Sequence, residues 1–108
     1  MTASTAQTKE SLHSELFASL ASLLRSYTGL HGLHRNGVAA VEYREKIIRV
    51  RSGEEWLTLA RDHEIITWTR ENGSAGTVEL TEAGNLRAAV VEQPMDLAAE
   101  QWARELMQ

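Results

Sequence analysis

Residues 38–51, VAAVEYREKIIRVR, decide what this chain becomes, because they fit two different folds. Ala40, Tyr43, Ile47 and Val50 recur at spacings of three, four and three, with Val41 and Ile48 beside them. That spacing places apolar groups on one face of a helix. The same residues also fit two strands, 41–44 and 47–51, turning at Glu45-Lys46. The β-branched Ile47, Ile48 and Val50 favour strand. A tight turn, however, wants a residue tolerant of positive φ, and neither glutamate nor lysine is one. The turn objection favours the helix, which we take as the expectation with the hairpin left open.

Upstream, Leu12, Leu16, Phe17, Leu20, Leu23, Leu24 and Tyr27 repeat at threes and fours from Ser11 onward, the clearest helical stripe in the chain. Residues 1–10 are small and polar and read as a flexible lead-in. TGLHGLHRNG, residues 28–37, holds three glycines and an Asn-Gly pair, so the helix is expected to end there. Downstream, Ser52-Gly53-Glu54-Glu55 fits a capping box opening a helix over about 53–63, with Trp56, Leu57, Leu59 and Ala60 buried. Residues 64–84, EIITWTRENGSAGTVELTEAG, alternate apolar and polar on both sides of a Gly-containing loop, as a hairpin at about 65–80 should. Thr81 can then cap a helix to about Glu92. Pro94 interrupts it, and Asp96 can start a last helix carrying Ala99, Trp102, Leu106 and Met107 on one side.

With 108 residues, 43% apolar and 24% charged, the chain reads as one globular domain over residues 11–108. It has no cysteine, no signal-peptide pattern at its start and no apolar run of membrane-spanning length, which points to the cytoplasm. The net charge of −4 is unevenly spread. Residues 25–51 hold six basic side chains against two acidic ones, and residues 52–108 hold four against eleven. Such asymmetry marks a partner-binding face or plain solvated decoration.

The region LARDHEIITWTRENGSAGTVELTEAGNLRA, from Leu59 to Ala88, resembles the wing of MarR-type winged helix-turn-helix regulators. There a recognition helix leads into a strand, a loop, a second strand and a Leu-Thr-x-x-Gly entry to the next helix. The resemblance implies a helix-rich α+β fold, a winged helix with extra N- and C-terminal helices and one hairpin. It implies DNA binding, and a homodimer through the terminal helices, here Leu16, Leu20, Leu23, Trp102 and Leu106. The alternative is that both helices fold back over one core. GEEWLTLARDHE, in the place of the recognition helix, is acidic, with Arg61 as its single basic residue. Phosphate contacts would therefore fall to Arg44, Lys46, Arg49 and Arg51, with Arg70 beside the wing tip. If residues 38–51 are a hairpin, the helix-turn-helix disappears.

No catalytic constellation is present. Glu54-Glu55 and Asp62/Glu64 read as exposed helix decoration rather than as an acid–base pair, and no phosphate loop, H-E-x-x-H or G-x-S-x-G occurs. His31 and His34 stand at H-x-x-H spacing with His13 upstream, but without further ligands they read as loop histidines, and no metal or cofactor is expected. Trp56 and Trp68 are placed in the core. The expected function is a small, non-enzymatic DNA-binding regulator. The alternative is a protein-interaction module, an adaptor or inhibitor, meeting a basic partner with its acidic second half.

Overall fold

The computed structural model describes residues 5–32 and 39–107, and in it residues 40–52 form a hairpin. β1 (Ala40–Arg44) and β2 (Ile47–Ser52) pair antiparallel, with Val41 opposite Val50 and Tyr43 opposite Ile48. The burial has a period of two: Ile48 and Val50 are enclosed, while Ile47, Arg49 and Arg51 face solvent. The expected helix here is therefore corrected to the hairpin that had been left open. The turn that weighed against it forms without glycine, Glu45 taking φ +26°. His63 (φ 57°) and Ala89 (φ 55°) do the same in the turns after β3 (Glu55–Asp62) and β6 (Asn85–Ala88). Left-handed backbone costs an L residue roughly 1–2 kcal/mol, which the ladder on either side of each turn offsets.

With β4 (Ile65–Arg70), β5 (Ala75–Leu80) and β7 (Val91–Pro94), the strands make one seven-stranded antiparallel sheet in sequence order. Two helices complete the fold, α1 (Thr5–Gly32) and α2 (Met95–Leu106). This overturns the helix-rich winged-helix expectation and, with it, the MarR-like resemblance. The supposed recognition helix is β3, whose Leu57, Leu59 and Arg61 point inward while Ala60 and Asp62 point out. Leu80-Thr81-Glu82-Ala83-Gly84 ends β5 in a turn instead of entering a helix. Thr81 N–H donates to the Asn85 carbonyl (2.9 Å), and Asn85 N–H donates back to the Thr81 hydroxyl (3.1 Å). Gly84 supplies φ 84°, a value its missing Cβ makes inexpensive. Residues 65–80 are a hairpin, β4 with β5, but it lies inside the sheet and is no wing.

α1 begins at Thr5, within the expected lead-in, and continues through Gly29 to Gly32. Thr28, whose hydroxyl donates to the Leu24 carbonyl at 2.7 Å, keeps the last turns closed. The Asn-Gly pair and His34 lie outside the described residues. Both helices pack on the same face of the sheet and against each other. Phe17, Leu20 and Leu24 of α1 and Ala99 and Leu106 of α2 meet Ile48, Leu59, Ile66 and Leu80 in one core. Leu20 and Leu106 are thus enclosed within the chain and have no surface to offer a second copy. Leu16, Leu23 and Trp102 lie half-buried against the same core. Among the described residues no helix is long and apolar enough to cross a membrane.

Candidate nucleic-acid interface

With both helices on one side, the other face of the sheet stands open, the usual outcome for an antiparallel sheet with a single covered side. Strand register lays out that open face row by row. Ala40, Arg51 and Trp56 form one row; Glu42, Arg49, Thr58 and Thr69 the next; Arg44, Ile47, Ala60 and Thr67 the third. Three of the arginines expected to grip phosphate, Arg44, Arg49 and Arg51, are therefore brought together on β1 and β2, all exposed. Arg49 and Arg51, two residues apart on one strand, stand about 7 Å from each other along it. Among the described residues none of these three makes an ion pair, so their charge is uncommitted. Glu42, opposite Arg49, is the one carboxylate in these rows.

Trp56 lies beside them, half-buried. Its backbone N–H donates to Glu71 Oε1 (2.9 Å) and its carbonyl accepts from Arg70 Nε (3.2 Å). Those backbone groups point away from β2, so Trp56 and Arg51 form a non-hydrogen-bonded cross-strand pair, the kind whose side chains stand closest. Between Ala40, Glu42, Arg49, Val50, Arg51, Trp56 and Thr58 the surface dips into a depression of about 460 Å³. Sequence reasoning placed Trp56 in the core because residues 53–63 read as a helix. The signal that could have found it is the alternation from Trp56 to Asp62.

The other two expected contacts lie elsewhere. Arg70 is on the helix-covered face, where Glu71 (3.2 Å) and the Trp56 carbonyl hold its guanidinium. Lys46 sits in the β1–β2 turn, near enough to Glu10 to help lower that carboxyl's pKa. No family model, curated protein or solved structure matches the chain, so the chemistry of its own surface carries the functional reading.

Two further clusters are structural in character. Arg61, almost fully buried on β3, reaches Glu10 of α1 with both terminal nitrogens (2.8 and 3.3 Å) and the His63 carbonyl at 2.8 Å. Its guanidinium lies 5.8 Å from the Phe17 ring centre, and its Nε is buried without a partner. The Arg61 hydrogen bonds are the main reason the Glu10 carboxyl is pulled down to about 2, against partial burial that pushes it up. At the other end of α1, His31 Nε2 lies 2.9 Å from Glu100 Oε2 of α2. Of the other histidines in the H-x-x-H reading, His13 is buried on α1 and His34 lies outside the described residues. Among the described residues no three His, Asp or Glu side chains converge as metal ligands.

Proposed function

We propose that this protein binds nucleic acid through the open face of β1–β3 as a non-enzymatic, regulatory protein of the cytoplasm. One observation carries the reading: Arg44, Arg49 and Arg51 stand uncommitted beside Trp56 on a surface that neither α1 nor α2 covers. Guanidinium groups free of carboxylate partners release counterions when they meet phosphate, and this supplies most sequence-independent affinity. Lys46, at the end of the same hairpin, adds to the field. The net negative charge of the chain does not oppose this, because the sign near the surface governs the encounter and more distant charges are screened.

The test is fluorescence anisotropy with labelled DNA at about 50 mM and about 200 mM salt. Contacts to three or four phosphates correspond to a log–log slope of affinity on salt of about −2 to −4. The double variant Arg49→Ala/Arg51→Ala should lose most of the low-salt binding. Absence of binding at low salt to any nucleic acid would refute the reading. The rival, an acidic face for a basic protein, draws less support. Glu71, Glu79 and Glu100 are already engaged with Arg70, Arg87 and Arg104, and the remaining acids are spread over strands, turns and both helices.

A further inference from the structure

The nucleic-acid reading leaves open which form of nucleic acid fits, and the shape of the surface bears on that. A duplex is read in its major groove, about 12 Å wide, which admits a helix or a two-stranded ribbon. Here the arginines lie on the flat of a continuous sheet: β3, β4 and β5 extend beside β2, at about 4.8 Å per strand. Among the described residues no element projects from that face to enter a groove. A duplex laid on it would touch by its phosphates alone.

A single strand meets the same surface differently, because its bases are free to splay and stack on an aromatic side chain. Trp56 is placed for this, paired with Arg51 in the row next to Arg49. Beyond it Thr58, Ala60, Thr67 and Thr69 continue the outer rows and offer hydroxyls to base edges, while the carboxylates of Asp62 and Glu79 lie one row further on and Glu71 is held by the Trp56 N–H and Arg70. The spacing of Arg49 and Arg51, about 7 Å, is that of two residues along a strand, a reach suited to phosphates of an extended chain. Glu42 sits on the β1 side of this pair, so the phosphate backbone is favoured over β2 and the bases over β3.

We propose that the β1–β3 face takes single-stranded nucleic acid, with phosphates on Arg49 and Arg51 and a base stacked on Trp56. This rests on the nucleic-acid reading above. The experiment compares a labelled thymidine oligomer of about 15 nucleotides with a duplex of the same length, using the full chain. The single strand should bind at least about tenfold more tightly at equal salt. Trp56→Leu should weaken it by about tenfold, while Trp56→Phe, which keeps a ring, should recover most of the loss. Comparing two apolar replacements separates stacking from any effect on folding, which circular dichroism of each variant monitors. Arg49→Ala/Arg51→Ala should reduce the single-strand salt slope by about 1.4.

Duplex binding as tight as single-strand binding, or Leu and Phe variants that behave alike, would overturn this inference and leave the nucleic-acid reading standing. No binding of either probe at low salt would overturn both.

Discussion

A few side chains hold positions that little else could fill. Gly76 on β5 lies directly under the Trp68 indole: a Cβ built there falls 2.8 Å from two ring atoms. A rigid ring cannot fold away as a flexible chain end would. Gly76→Ala should therefore cost about 1–3 kcal/mol, read as a lower denaturation midpoint together with a changed near-ultraviolet signal from Trp68. Ala89 presents the reverse case. It is exposed and held at φ 55°, so Ala89→Gly removes strain and no packing. Relief of about 1–2 kcal/mol, less the roughly 0.4–1 kcal/mol that glycine adds to the freedom of the unfolded chain, leaves a gain of up to about 1.6 kcal/mol. A reversible urea titration would show it, and a loss of stability would contradict the strained-turn account. In the centre of the sheet, Leu59 is fully buried, and Leu59→Ala should cost about 2–5 kcal/mol by the same titration.

At the scale of elements, α1 is fastened near both ends, by Arg61 to Glu10 and by His31 to Glu100. Because the Glu10 carboxyl is depressed in the folded chain, from 4.5 to about 2, the fastening is complete above the unfolded value. It is lost as the pH falls through the folded one. Glu10→Gln should therefore be less stable than the parent at neutral pH. The gap between the two should close between about pH 5 and pH 2, as thermal melts across that range would record. A gap that is constant with pH would remove the ion pair from the account.

The elements also show how much of the fold the residues disclosed. The stripe from Leu12 to Tyr27, the alternation through β4 and β5 and the apolar side of α2 were all readable, because each presents one unbroken period. β1, β2 and β3 were not. Their two-residue turns at Glu45-Lys46 and His63-Glu64 lack the glycine or asparagine that normally announces a hairpin. In Ser52-Gly53-Glu54-Glu55 a tight turn coincides with the spelling of a helix cap. The same confusion hid half of the candidate site. Arg44, Arg49 and Arg51 could be found by counting charge, whereas the position of Trp56 beside them depends on strand register, which local spacing does not encode. Thr81-Glu82-Ala83-Gly84 misled for a related reason: a hydroxyl that closes a four-residue turn looks, in sequence, like one that caps a helix.

For the molecule as a whole, every strand pairs with its neighbours in sequence and the two helices close the core from the same side. The open outer face and the two sheet edges remain available for association, as do the outer sides of both helices, where Leu30 and Leu97 are exposed. β7 ends in Pro94 and carries the exposed Glu92, features that discourage another chain from extending the sheet. The order of elements also bears on how the fold is reached. Hairpins can close one after another as the chain lengthens, each over a short loop whose closure entropy is small. The core cannot keep pace, because one of its walls, α2, comes after all seven strands. During synthesis the apolar side of α1, made first, waits with Phe17, Leu20 and Leu24 only partly covered until the twelve residues of α2 arrive. The nascent chain is thus most exposed to misassociation just before that last helix is added, and substitutions in α2 should reduce the yield of soluble protein more than their effect on equilibrium stability alone would suggest.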